Sequence, residues 1–178
     1  MVDNSFLLIA ITPVTPIADE SAKICRLLDH GFDFVHIRHP EIAVGQMLKI
    51  IEGIPADLRS RIKIHDHHHL AYETGVGVHV NTRGGENVES PFKSTGCHSI
   101  QEITRLTPDI YEYVMLSPVF PSISKPGYGP SVDLLNGLKN INPSFPIIAL
   151  GGVTHEKLSE IKIRGFSGAA MLGAVDWS

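Results

Sequence analysis

Short apolar runs alternate with helical patterns along the whole chain. Residues 7–12 (Leu-Leu-Ile-Ala-Ile-Thr) make a brief continuous apolar run closed by Pro13 and Pro16, which predicts a buried strand. Residues 22–30 then carry Ile24, Leu27 and Leu28 at helical spacing. That pattern stops at Gly31, a residue suited to the position just past a helix. The same unit recurs. Strand patterns fall at 34–38, 61–66, 77–81, 95–98, 113–117, 146–150 and 168–172, and helical patterns at 42–53, 70–74, after Ser99, at 131–140 and after Thr154. Ser99 stands as a helix cap with Glu102 at the capping-box position, and Thr154 stands as a second cap. Residues 82–92 hold Gly84-Gly85, Asn87 and Pro91 with no helical period, which predicts a loop.

Eight strands with intervening helices predict a (β/α)8 TIM barrel, with residues 1–178 as one domain. An open doubly wound sheet is the alternative. No Gly-x-Gly-x-x-Gly follows the first strand, which weakens its dinucleotide-binding form. No helical pattern separates the eighth strand from Ser178, so the barrel is expected to lack its last helix. The uncovered apolar strand surface points to a homodimer contact or a longer native chain.

Composition narrows what such a barrel handles. Of 178 residues 19% are charged, below the roughly 25% of an average soluble domain, so long disordered tracts are not expected. The formal net charge is −4 with Lys and Arg scattered, which excludes a nucleic-acid footprint and a basic membrane-binding face. The apolar run at 6–11 is too short to span a bilayer, and Asp3 rather than a basic segment precedes it, unlike a signal peptide. Cys25 and Cys97 are too few for a disulfide framework. A cytoplasmic protein acting on small molecules is the expectation.

In a barrel of this kind chemistry sits at the C-terminal ends of the strands. Polar residues gather there: His36 and Arg38 on the second strand, His65 and Asp66 on the third, His79 and Asn81 on the fourth, His98 on the fifth. Alternation groups His36 with Arg38 against Val35 and Ile37, and His79 with Asn81 against Val78 and Val80, so the polar set is expected to point into the barrel mouth. Gly151-Gly152-Val153-Thr154 after the seventh strand, with Gly173 after the eighth, has the position of a barrel phosphate site. The loop after the sixth strand adds the hydroxyls of Ser122 and Ser124 and the cation Lys125, which suit phosphate oxygens. Gly127 and Gly129 would let that loop close over a ligand. Small phosphorylated substrates are therefore expected. The run His65-Asp66-His67-His68-His69 contains a His-x-His that could chelate zinc with His79 and His98. Three adjacent histidines cannot all face one point, so several are expected to be solvated.

Taken together, Phe34-Val-His-Ile-Arg38, His65-Asp66, Gly77-Val-His-Val80, the block from Tyr113 to Lys125, Ala149-Leu-Gly-Gly-Val153 and Gly168-Ala-Ala-Met-Leu-Gly173 resemble the thiamine phosphate synthase and TenI (thiazole tautomerase) superfamily. The resemblance implies a (β/α)8 barrel and one of two chemistries. The synthase joins hydroxymethylpyrimidine diphosphate to thiazole phosphate, releasing pyrophosphate with Mg2+; the tautomerase moves a proton on a thiazole phosphate carboxylate. A non-catalytic thiazole-phosphate-binding protein is the third reading. By resemblance Ser122, Ser124, Lys125, Gly151, Gly152 and Gly173 bind phosphate, Asp66 holds the metal, and Arg38, His36, His65 and Lys125 are the catalytic set. Departures fall on the diphosphate half. Pro40 stands where synthases carry a Lys, His65 replaces an Asn, Gly84 lies at the second metal-binding carboxylate with Glu86 nearby, and Gly96 and Gly173 replace serines. Pro118 stands where the tautomerase has its catalytic His, leaving His36, His65, His79 and His98 as proton shuttles. Arg38, Asp66 and the Ser-x-Ser-Lys loop favour the synthase.

Overall fold

Eight strands pair in parallel in chain order and close into a barrel where β8 meets β1. The computed structural model describes residues 6–82, 84–121, 138–141 and 144–178. Its strands are β1 (Leu7–Ile11), β2 (Phe34–Ile37), β3 (Ile62–Ile64), β4 (Gly77–Val80), β5 (Lys93–Cys97), β6 (Tyr113–Leu116), β7 (Ile147–Ala149) and β8 (Gly168–Met171). The α-helices are α1 (Glu20–Asp29), α2 (Val44–Glu52), α3 (Leu70–Thr74), α4 (Ile100–Thr104) and α5 (Leu158–Ile163).

Two layers of side chains follow from the period-two alternation of the strands. Outward-facing Ala10, Val35, Ile37, Ile62, Ile64, Val78, Val80, Val114, Leu116, Ala149 and Met171 join helix residues such as Ile24, Met47, Ile51 and Ile161 in one large core. The inward set on β1 and β6 to β8 is apolar: Ile9, Ile11, Met115, Ile148 and Ala170 form a second cluster inside the barrel, together with Tyr113. The inward set on β2 to β5 is largely polar apart from Phe34, which packs against that cluster, and there the functional question begins.

Several elements differ from the sequence pattern. β5 starts at Lys93, two residues early, because Lys93 and Ser94 pair with Val78 and His79 of β4 even though a Lys-Ser-Thr run does not read as a strand. A 3-10 helix at Ala56–Arg61 was not expected, having no apolar period. It is held by arginines: Arg59 Nε donates to the Ile54 carbonyl at 2.9 Å, and Arg61 donates to the Asp33 and Phe32 carbonyls at 2.9 and 2.6 Å. Of the helix expected at 131–140, residues 131–137 lie outside the described residues, and Leu138–Asn140 is a 3-10 turn. Residues 172–178, after β8, form no helix. Val175 is instead buried in the outer core that includes Met171, Ala174 and Trp177 pack against that core, and the Arg26 guanidinium donates to the Ser178 carbonyl. No helix among the described residues is long and apolar enough to cross a membrane.

A buried ion pair fixes the loop after β2 against the start of α1. His39 Nε2 lies 2.7 Å from Glu20 Oε1, and His39 Nδ1 lies 3.1 Å from the Val14 carbonyl oxygen. Burial alone lowers the His39 pKa, but the hydrogen bond and charge of Glu20 outweigh it and raise the pKa above 6.5. A histidine with a raised folded pKa stabilises the fold fully below its unfolded value, and that contribution is lost as pH rises through the folded pKa. The melting temperature is therefore expected to fall as pH is raised above about 6.5. His39→Gln is expected to flatten that part of the profile, and an unchanged slope in thermal melts of the variant would remove His39 as its source.

Candidate active site

The polar half of the barrel interior is built from inward positions on adjacent strands. Their heights are set by the register, which places Ile11 beside His36, His36 beside Lys63, and His79 beside Ser94. His36 is fully buried. Its Nδ1 lies 2.8 Å from His65 Nε2, and its Nε2 lies 2.6 Å from the Tyr113 hydroxyl. The His65 ring stacks on His79 at 4.2 Å between centroids and 20° between planes. His79 Nδ1 in turn lies 2.9 Å from Ser94 Oγ. Tyr113, His36, His65, His79 and Ser94 thus form one continuous network, with each imidazole in contact with the other two.

Two residues before His65 on β3, and beside His36 in the register, lies Lys63, also fully buried. Its ammonium pairs with the Glu112 carboxylate at 2.6 Å and sits over the rings of Phe34, Phe92 and Tyr113 at 4.8, 5.4 and 5.9 Å. Gly77 on β4 makes room for it, since a Cβ there would stand 2.5 Å from Lys63 Cδ and collide with the Phe92 backbone.

Burial dominates the electrostatics of this interior. It holds the His36 pKa well below 6.5, and the charges of His79 and Lys63 push the same way. His36 is therefore neutral at neutral pH and carries one ring N–H, aimed at either His65 or Tyr113. Burial also pushes the Tyr113 phenol well above its usual value, and the Glu112 charge adds to this. Lys63 is lowered by burial while Glu112 pulls it back.

At the barrel mouth Asp66 follows β3 and is buried. Asn81 donates to the carbonyls of His65 and His79 at 2.8 and 3.2 Å, tying together the ends of β3 and β4. Arg38 follows β2 and is half-buried, with its backbone N–H donating to Thr12 Oγ1 at 3.0 Å. His98 is exposed beyond β5, its Nδ1 3.0 Å from the Ser117 carbonyl, and stands outside the histidine cluster. The histidine run is less solvated than expected. His69 is exposed, whereas His67 Nε2 lies 2.7 Å from the Ile42 carbonyl and buried His68 lies 3.1 Å from that of His79. The reason is local: His67 adopts a left-handed backbone with φ 52°, which turns successive rings toward different carbonyls.

Gly151 and Gly152 form the turn after β7 with φ of 93° and 62°. They also let the loop after β6 approach: Val119 N–H donates to Leu150 O at 2.9 Å and Phe120 N–H to Gly151 O at 3.1 Å. A Cβ on Gly151 would lie 2.9 Å from Pro118 Cα, and one on Gly152 would lie 2.6 Å from Pro121 O. Gly151→Ala is expected to cost about 2–4 kcal/mol, from the left-handed backbone and the overpacking together. Chemical denaturation measures this, and a loss below about 1 kcal/mol would show that the loop yields freely.

The capped helix expected after Thr154 takes another form. The chain enters α5 through a 3-10 turn (His155–Lys157), and the Thr154 side chain makes no capping bond. Its hydroxyl serves the Glu156 carboxylate instead. Lys157 Nζ donates to the Gly152 carbonyl at 2.6 Å. Ser99, by contrast, accepts from Glu102 N–H at 3.1 Å as expected, while the Glu102 carboxylate reaches back to His98 N–H at 2.8 Å, one residue before the cap. Gly173 is exposed, with open space around it. Ser122, Ser124 and Lys125 lie outside the described residues.

The structure brings His36, His65 and His79, which the sequence directed into the barrel, together in its interior, and adds Lys63, Ser94 and Tyr113, which sequence reasoning did not single out. Strand parity carried the signal: Lys63 lies two residues before His65, and Ser94 two before Gly96, on the same inward face.

A closed parallel barrel with its interior polar groups between β2 and β6 and a glycine turn after β7 has the architecture of the barrel enzymes that act on phosphorylated small molecules. The family described as thiamine monophosphate synthase matches residues 8–175, and the chain belongs to that family. Thiamine-phosphate synthase of Photorhabdus laumondii is 25% identical over 182 residues, covering 91% of this chain and 83% of the relative. Among solved structures, the thiamine phosphate pyrophosphorylase of Bacteroides thetaiotaomicron superposes with a TM-score of 0.78 at 31% identity, covering 95% of this chain and 84% of that one. The Pyrococcus furiosus pyrophosphorylase shares the fold, with a TM-score of 0.74 at 18% identity over 97% of this chain and 88% of its own.

Proposed function

We propose that this protein acts as a thiamine phosphate synthase, joining hydroxymethylpyrimidine diphosphate to thiazole phosphate. In that reaction the bond from the pyrimidine methylene carbon to the diphosphate oxygen breaks, pyrophosphate leaves with the electron pair, and the thiazole nitrogen forms the new C–N bond. The observation that carries the reading is the family match along residues 8–175, with Arg38, Asp66 and Gly151-Gly152 all just beyond the C-terminal ends of their strands.

The roles follow from chemistry. Arg38 supplies fixed positive charge for the departing diphosphate. The Gly151-Gly152 turn, Gly173 and the Ser122, Ser124 and Lys125 loop would hold the thiazole phosphate. His36 and His65 would line the pyrimidine side, His36 as a neutral hydrogen-bonding group. For Mg2+ the strand ends offer the buried carboxylate of Asp66 after β3, with Gly84 where the resemblance places a second; the other buried carboxylate among the described residues, Glu20, is paired with His39. One carboxylate fits a Mg2+ held largely by substrate phosphates and water. When bound, that ion would neutralise diphosphate charge.

Calorimetric titration with thiazole phosphate and with pyrophosphate, each with and without Mg2+, tests the reading beside a turnover assay. Binding of both, with pyrophosphate dependent on Mg2+, supports the synthase. Binding of thiazole phosphate alone, without turnover, removes it. A second reading, proton transfer on a thiazole phosphate carboxylate, is favoured by the hydrogen-bonded line from Tyr113 through His36 to His65. Turnover without diphosphate would select it.

A further inference from the structure

We propose that His36, His65 and His79 form a site for one divalent transition metal of the zinc class, separate from the Asp66 carboxylate. These histidines stand on β2, immediately after β3 and on β4, all are buried, and each offers a ring nitrogen within 4.8 Å of the other two. Zinc–imidazole bonds run to about 2.0–2.1 Å, so ligand nitrogens in a tetrahedral shell lie roughly 3.3 Å apart. His36 Nδ1 and His65 Nε2, now 2.8 Å apart, would part by about 0.5 Å, and no other separation in the group would close by more than about 1.5 Å. Small rotations of three rings accomplish that. The cation would replace the proton that the His36–His65 pair shares.

The surroundings suit coordination. A metal-bound imidazole normally uses its second nitrogen to donate to an oxygen, which fixes tautomer and ring orientation. His36 Nε2 faces the Tyr113 hydroxyl at 2.6 Å, and His79 Nδ1 faces Ser94 Oγ at 2.9 Å. Both partners come from strands that supply no ligand. His36 Nδ1 and His65 Nε2, already 2.8 Å apart, would then be two of the ligands, with a ring nitrogen of His79 as the third. Three imidazoles select zinc, cobalt, nickel or copper over magnesium, which prefers hard oxygen. Packing alone gives no reason for the arrangement, because Ile9, Ile11, Met115, Ile148 and Ala170 fill the other half of the interior with apolar groups. Three protein ligands leave a fourth position for water or for an oxygen or nitrogen donor of a small molecule.

The test uses the whole chain, loaded with Zn2+ or Co2+, desalted, and assayed for metal by mass spectrometry and for Co2+ coordination by visible absorption. Wild type is expected to retain one equivalent with a four-coordinate cobalt spectrum, undisplaced by excess Mg2+. His69→Ala/His98→Ala, which removes two exposed histidines, is expected to retain it equally. His65→Asn is expected to lose it, and Ser94→Ala to weaken it by about 10–100-fold. Circular dichroism establishes that each variant is folded, and Ser94→Ala carries the test should His65→Asn not fold. No retention by wild type, equal retention by folded His65→Asn, unchanged affinity in Ser94→Ala, or loss in the double variant would each overturn the site. None of these readouts depends on synthase turnover.

Discussion

Asp66→Asn is expected to abolish turnover while leaving thiazole phosphate bound. The exchange keeps shape and volume and removes one negative charge. Asp66 is the carboxylate that follows β3, and Gly84 offers no second one at the position where synthases carry it. Glu86, the nearby acidic residue, is exposed, and its carbonyl accepts from Lys93 Nζ at 3.0 Å. A cation that stabilises developing charge contributes several kcal/mol, and each 1.36 kcal/mol is tenfold in rate, so a loss of at least about 100-fold in kcat is expected. On the proposed reading thiazole phosphate lies at the glycine turn after β7, across the barrel, so its calorimetric affinity should change less than about threefold. Turnover equal to wild type would remove Asp66 from the reaction. Equal loss of thiazole phosphate binding would make the effect structural.

Glu112→Ala is expected to destabilise the fold by about 3 kcal/mol, because removing one partner of a buried pair strands the other charge. Lys63 is fully buried, whereas the Glu112 side chain is 31% exposed, so the low end of the usual range applies. Burial already lowers the Lys63 pKa against the pull of Glu112, so without Glu112 the amine would shed its proton more readily, which limits the loss. In a chain of this length the change corresponds to roughly 6–12 °C in melting temperature by calorimetry. Lys63→Met/Glu112→Ala should recover most of it, since an apolar chain fills the same slot between Phe34, Phe92 and Tyr113. A loss below about 1 kcal/mol in the single variant would show that Lys63 is satisfied by the Ser60 carbonyl, 3.3 Å away.

Barrel strands were easy to recognise where both faces are apolar and a glycine or proline ends the run. Residues 7–11, 113–116 and 168–171 are of this kind. β5 was read short because Lys93 and Ser94 are polar. The inward Ser94 bonds to His79, and the outward Thr95 donates to the Val80 carbonyl at 3.1 Å. A polar residue satisfied by the neighbouring strand leaves no hydrophobic trace in its own segment. Tyr113 was missed for a related reason. In a strand buried on both sides, alternation says which residues share a face but not which face is the interior. The Gly-Gly turn was legible, while its close approach to Pro118 and Pro121 was not.

The sequence by itself determined the order of strands and helices, the turn after β7, and the grouping of His36 with Arg38 and of His79 with Asn81 on one side of their strands. Those properties depend on local periodicity and on backbone preferences at single residues. Only the tertiary structure decided that His36, His65, His79, Tyr113 and Ser94 meet while His98 stays apart and exposed. Periodicity gives the direction of a side chain, not its height along the barrel axis. Height is set by the register between neighbouring strands, and that register is fixed by hydrogen bonding and closure around all eight of them.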